Sequence, residues 1–417
     1  MKQDSVGSAA LVPADSHLQA ARSFQLEVAE REPLLSPMGW LALAFALLLG
    51  CVCMPAAALL LPADHPLALS AYGLTLMGKI FCYALAALGL GLAWGYCGIL
   101  SLGHGLFFAL GAYAFGMHLM RTAGADSAQT SALPDFMLSL GWKELPWFWR
   151  GSEHFGWAVL LVLVAPALVA LVFGFFAFRS RIKGVYLSIV TQALSFAAMQ
   201  LFLRNETGFG GSNGFTDFRR ILGFEISALP TRAALFALSL LALAAAYLLC
   251  RHVVTSKLGR VARAVRDAET RVMFCGYDPL PFKLFIWVLS ALLCAVAGAL
   301  YVPQAGIINP NEMAPLKSIE MAVWVTVGGR GSLAGPILGA FAVNGASTVF
   351  TSHLPDFWPF FLGALFVGVT LWLPQGLMGL LRRWPRSPKP DPSAKKANLL
   401  REPIRTTMPS VTEGASA

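Results

Sequence analysis

The chain has 417 residues, of which 57% are hydrophobic and only 13% charged, with a formal net charge of +9. A soluble domain carries roughly 25% charged residues, so a water-soluble enzyme is excluded and a membrane protein is expected. The basic excess does not point to nucleic acid, because it gathers in short loops between apolar runs and in the C-terminal tail, the positive-inside pattern.

Residues 1–37 mix both charge signs, end in EREPLLSP and lack the basic n-region and short apolar core of a cleavable signal. They read as a cytoplasmic tail. Spanning a bilayer takes about 20 apolar residues, and runs of that kind fall at 39–62, 70–94, 105–120, 156–178, 184–203, 231–254, 283–302, 317–329, 334–351 and 358–380. Together they predict an all-α polytopic membrane protein occupying 38–382, followed by a second cytoplasmic tail at 383–417. Two runs, 105–120 and 317–329, are short and adjoin glycine-rich breaks, so re-entrant segments are expected and the count is eight to ten transmembrane helices.

The first break reads GYCGILSLGHG, with Gly95, Gly98, Gly103 and Gly105; the second holds Gly328, Gly329 and Gly331. The stretch from Ser101 to Ala114 is partly echoed by Ser332 to Ala342, each with Ser-Leu followed by Gly-Ala. Paired, interrupted helices in two halves of a transporter point to its pathway. Small-residue helix packing is the other explanation for such glycines. Between the breaks, the loop at 121–155 is acidic and carries Trp142, Trp147 and Trp149, which suits the outer face with its tryptophans at the interface. RSRIK at 179–183 and the arginine-rich loop 251–283 belong on the cytoplasmic side. Arg204 to Phe218 is a glycine-rich outer loop, either a vestibule lining or a plain connection.

At 100° per residue, a helix over 258–272 puts Leu258, Val261, Ala262, Val265 and Val272 on one face and Arg260, Arg263, Asp267 and Arg271 on the other. Glu269 alone falls on the wrong side. Such a helix could lie on anionic lipid or dock into a groove of a cytoplasmic partner.

Chemistry-bearing motifs are few. GLTLMGKI at 73–80 imitates a P-loop but has Ile80 where Ser or Thr is needed, and it lies in an apolar span. GGRGSLA at 328–334 imitates a dinucleotide turn without a βαβ unit around it. No nucleotide site, CxxC pair, metal site or catalytic set follows, so no cofactor is assigned to the chain. His104 has no acidic or histidine neighbour in sequence, and Glu320 sits in an apolar run, where an ionisable side chain usually faces a protein interior or an aqueous path. Ser101, Gly103, His104, Glu320 and Thr326 are the candidate pathway residues. A zwitterionic cargo would call for paired charges, and Glu320 is the one such residue the reading finds.

GYCGILSLGHGLFFALGAYAFGMHLMR, TGFGGSNGFTDF, the 259–310 segment beginning GRVARAVRDAETRVMFCGYDPLP, and IEMAVWVTVGGRGSLAGPILGAF together resemble the LivM-type permeases of branched-chain amino acid ABC transporters. Variants such as RNETGFGGSNG and VPQAGIINPNEM are similar to the urea permeases of that family. The resemblance spans about 40–382 and implies an inner-membrane permease, not an enzyme. It implies a second permease subunit, two ABC ATPase subunits that use ATP and magnesium, and a periplasmic urea-binding protein, with both termini cytoplasmic. It implies urea as cargo, with branched-chain amino acids as the alternative and an uncoupled channel as the reading from another class. The loop 255–282 would be the coupling segment, with Arg260, Arg263, Arg266, Asp267, Glu269 and Gly276 as candidate ATPase contacts, although Asp267-Ala268-Glu269 is a loose form of the importer motif.

Overall fold

The computed structural model describes residues 34–62, 70–124, 133–139, 141–373 and 375–383. The two tails lie almost wholly outside the described residues.

Every apolar run becomes a helix: α1 (Pro37–Leu60, π-helical over Leu49–Cys53), α2 (Ala71–Cys97), α3 (His104–Gly124), α4 (Phe155–Arg179), α5 (Val185–Phe202) and α6 (Leu229–Thr255). There follow α7 (Lys257–Phe274), α8 (Pro279–Ala305), α9 (Pro315–Gly328), α10 (Ala334–His353), α11 (Trp358–Trp372) and α12 (Gly376–Arg383). Among the described residues, seven stretches are long and apolar enough to cross a membrane: α1, α2, α4, α5, α6, α8 and Trp358–Leu380. The chain is a polytopic α-helical membrane protein.

The two runs expected to be short behave differently. α3 continues to Gly124 and reaches 21 residues, about 31 Å at 1.5 Å per residue. α9 has 14 residues, about 21 Å, less than the roughly 30 Å hydrocarbon core.

Local chemistry sets the boundaries. Ser70 Oγ accepts from the Gly73 N–H (3.1 Å) to start α2, and Gly98 ends it in a left-handed conformation (φ 73°). Asp278 caps α8 through the Leu280 N–H (3.0 Å), ahead of Pro279 at the first helical position.

α2 and α8 form the centre. Leu85, Leu88, Leu90 and Leu92 of α2 and Trp287, Cys294 and Ala297 of α8 are all fully or almost fully buried. A helix apolar on every side is stable only when surrounded. In lipid, helices associate through packing and close backbone approach, for which small residues are needed. A Cβ at Gly298 would overlap the Phe108 carbonyl, seating α3 on α8, and one at Gly339 would overlap the Trp324 carbonyl, seating α10 on α9. By contrast, α1 and α11 present Leu41, Phe45, Phe360 and Leu371 outward, as lipid-facing helices do.

The two ends of the bundle differ. At one lies the arginine-rich α7. At the far end, β1 (Phe215–Thr216) pairs antiparallel with β4 (Ile307–Ile308), and β2 (Arg220–Ile221) with β3 (Phe224–Glu225). The tryptophans of the 142–149 segment do not all sit at an interface. Trp147 is exposed, but Trp149 is buried and its Nε1 donates to the Gly208 carbonyl (3.1 Å), pinning the glycine-rich loop.

Candidate functional site

The break after α2 is not left unsatisfied. Between Gly98 and His104 the backbone is non-helical, and a non-helical chain at membrane depth must be buried in protein with its polar groups paired. Ser188 Oγ donates to the Leu100 carbonyl (2.8 Å), and Thr191 Oγ1 accepts from the Leu102 N–H (3.1 Å). The Ser101 hydroxyl accepts from the Gly103 N–H (3.1 Å), and Ser318 of α9 accepts from the Gly105 N–H (3.1 Å). Ser195 Oγ donates to the Met313 carbonyl (2.8 Å), and Ser195 lies in the middle of α5. The starts of α3 and α9 therefore meet inside the bundle, with Gly105 against the Glu312 carbonyl, where a Cβ would come within 2.8 Å.

His104 belongs to this knot. Its Nε2 lies 2.7 Å from Ser290 Oγ, which itself lies 2.6 Å from the Gly89 carbonyl. A serine has one proton to give; once Gly89 receives it, Ser290 accepts from His104 and fixes the proton on Nε2. Ser101, His104, Ser290 and Ser318 are all fully buried. In this conformation Ser101, Gly103 and His104 therefore act on backbone and neighbouring helices rather than line a space. The sequence reading missed Ser188, Thr191 and Ser195, although hydroxyls at i, i+3 and i+7 of an apolar helix mark one polar face.

Charges gather just beside the knot. Glu320 is 17% exposed and pairs with Lys317 (Nζ to Oε2, 3.4 Å). Glu312 interacts electrostatically with Lys317, Glu320 and Lys79, the last from α2. Two bases and two acids thus share one region, and Glu320 is not the isolated acid of the sequence reading. Tyr83, one turn along α2 from Lys79, faces Tyr301 of α8 and Trp324 of α9 with ring centroids 5.3 and 5.1 Å apart. Lys79, Tyr83, Lys317 and Glu320 are half-buried, while Trp324 closes the group as a buried wall. Thr326 is spent on its own helix, donating to the Ala322 carbonyl (2.8 Å). Lys79 is the single cation of its apolar span, a signal present in the sequence.

The second break serves helix packing. A Cβ on Gly328 would overlap the Gly335 carbonyl, and one on Gly95 the Arg330 carbonyl, whereas Gly331 has open space around it. Gly329 (φ 108°) makes the turn out of α9.

At the basic end, α7 buries Ala262, Val265 and Val272 and exposes Arg260, Arg263, Arg266, Asp267 and Arg271. Its apolar face is occupied by the protein's own helices, so lipid or a partner meets the charged face and the tip, where Phe274 is 92% and Tyr277 53% exposed. The helix breaks at Ala268 (φ −155°), and Glu269 turns inward to Lys183 (2.7 Å) and Lys283 (2.6 Å). Burial alone would raise the Glu269 carboxyl, but the hydrogen bonds and charges of the two lysines outweigh it and hold it below its ordinary value. The hydrogen bond from Arg266 likewise lowers Asp267. Arg266 also donates to the Gly95 carbonyl, joining α7 to the end of α2. Gly276 (φ 84°) turns the chain after α7 with open space around it.

Helices broken inside the bundle, a charge cluster within it and a basic helix laid across one end define a transport permease. The chain belongs to the family described as branched-chain amino acid transport system, permease component, which matches residues 72–370. It is 26% identical over 323 residues to the high-affinity branched-chain amino acid transport system permease protein LivM of Salmonella typhimurium, covering 72% of this chain and 68% of the relative. It is 25% identical to the Escherichia coli permease protein LivH (71% and 91% covered) and 27% identical to the Pseudomonas aeruginosa permease protein BraD (71% and 91%). No solved structure matches the chain.

Proposed function

We propose that this chain is a membrane-spanning subunit of an ATP-driven importer of the bacterial inner membrane. It works beside a second permease, with two ABC ATPases below α7 and a binding protein at the far end. The family match over 72–370 carries this reading. Positive-inside logic places α7 and both tails in the cytoplasm. Its arginines and the Phe274–Tyr277 tip then form the surface offered to the ATPases. Glu269 ties that surface to Lys183 and Lys283, so a push on α7 is passed to the α4–α5 link and to α8. From α8, Ser290 reaches His104 and the start of α3.

Two cargoes each have support. The relatives' names favour a branched-chain amino acid. The paired charges at Lys79, Glu312, Lys317 and Glu320 suit a zwitterion, which carries one charge of each sign. Urea is the second reading, supported by the RNETGFGGSNG and VPQAGIINPNEM stretches. Uptake of labelled leucine and labelled urea, measured side by side in a strain lacking this chain, decides. Loss of leucine uptake alone supports the first cargo, and loss of urea uptake alone the second. Unchanged uptake of both sinks the proposed function. Replacing Arg260, Arg263 and Arg271 together is expected to abolish ATP-dependent uptake; a channel would go on conducting.

A further inference from the structure

At the far end a cavity of about 300 Å³ opens between the start of α2, the start of α6, the end of α8 and the 218–227 segment. That volume is at the small end of ligand sites. Its polar lining includes Arg232, Thr75 and Gln304, and its apolar lining Phe218, Ile226 and Leu235. Among the described residues, no Asp or Glu lines it.

Arg232 is the informative residue. It is half-buried, and its guanidinium has no ion pair or hydrogen bond to any described residue. It also stands in the first turn of α6, a 27-residue helix. The helix dipole makes that end positive, a place that favours anions and disfavours a cation. A guanidinium with no described partner there, facing a cavity whose described lining has no carboxylate, is a built donor for an anion that arrives from outside. Its planar fork matches a carboxylate in two parallel hydrogen bonds. Gln304 lines the cavity too, but its Nε2 is committed to the Leu300 carbonyl (2.9 Å) and its Oε1 is buried against Gly78, so Arg232 is the donor the cavity offers. From Thr75 the same face of α2 continues to Lys79 and Tyr83, at i+4 and i+8. The cavity therefore stands at the head of the charge cluster.

We propose that this cavity is an outer docking site for an α-amino acid with an apolar side chain, its carboxylate on Arg232 and its side chain against Phe218, Ile226 and Leu235. This rests on the branched-chain amino acid reading of the cargo. Urea would use the guanidinium through its carbonyl but would leave the apolar wall facing four N–H groups.

The test uses the importer assembled with its partner subunits in proteoliposomes of phosphatidylcholine, comparing native protein, Arg232→Ala and Arg232→Lys. The readouts are the KM and maximal rate of leucine uptake, with leucinamide, which lacks the carboxylate, as a second substrate. Arg232→Ala is expected to raise the KM for leucine about tenfold or more, the worth of a charge-assisted hydrogen bond. The maximal rate and leucinamide uptake should change little, and Arg232→Lys should recover part of the loss. Equal fall in leucine and leucinamide uptake would mark a structural role and overturn the proposal. So would a KM shift seen only when anionic lipid is added, which would assign the guanidinium to a lipid phosphate. If the native importer takes up leucine and Arg232→Ala matches it, the cargo reading stands and the docking site falls. If the native importer takes up urea and no leucine, the cargo reading falls and takes the site with it.

Discussion

Two groups of charges, one at the α7 end and one in mid-bundle, are built in opposite ways. At the α7 end, Glu269 is held by two lysines at 2.7 and 2.6 Å, with Glu269 17% and Lys283 11% exposed. In mid-bundle, Lys317 and Glu320 stand 3.4 Å apart, Lys317 37% and Glu320 17% exposed; Glu312 interacts with both, and with Lys79, only through space. The first group is a closed tie between α7, the α4–α5 link and α8. The second is looser. The first rests on two short contacts to one acid, the second on one longer contact whose lysine is partly exposed.

This contrast can be broken by substitution. The largest effect is expected where neither group could survive: Gly339→Leu would drive a side chain into the Trp324 backbone and separate α10 from α9. No folded protein should be recovered by size-exclusion chromatography in detergent. Next, Glu269→Ala leaves Lys283 buried beside no acid. Thermal unfolding should report a loss of about 2 kcal/mol, below the range for fully buried pairs because Lys183 stays half-exposed. ATP-driven uptake should fall further than stability alone explains. Glu320→Gln should cost less than about 1 kcal/mol of stability yet raise the KM for the cargo; an unchanged KM would remove Glu320 from the pathway. Asp267→Asn, on an exposed side chain paired only with the neighbouring Arg266, should leave the unfolding temperature nearly unaltered.

Acid sharpens the same comparison. The Glu269 carboxyl is lowered on folding from its ordinary value of 4.5. The stability from its tie is therefore fully present above the ordinary value and is lost as pH falls through the lowered one. Between pH 6 and 8 that tie should be constant, and Glu269→Gln should reproduce at neutral pH the looseness that acid gives the native protein. Equal acid sensitivity of the native and Glu269→Gln proteins would show that the tie does not titrate.

Much of the fold was legible because bilayer thickness imposes a length and helices impose a period. The ten runs, the caps at Ser70 and Asp278, and the two-faced α7 all follow from local rules. Even the anomaly at Glu269 was visible as an acid on an apolar face, though its two lysines, at 183 and 283, lie far off in sequence. The hydroxyl stripe Ser188, Thr191 and Ser195 was present but unread, because its partners are backbone groups of a distant break.

From the sequence alone came a polytopic helical membrane protein with a basic two-faced helix and two glycine-rich interruptions. Those features rest on composition and short-range spacing. Only the tertiary structure decided that His104 is a buried strut rather than a lining group and that Lys79, Glu312, Lys317 and Glu320 share one place. It also left Arg232 facing a cavity with no described partner. Each of these depends on which helices touch, and backbone contact at Gly298 and Gly339 sets that in three dimensions.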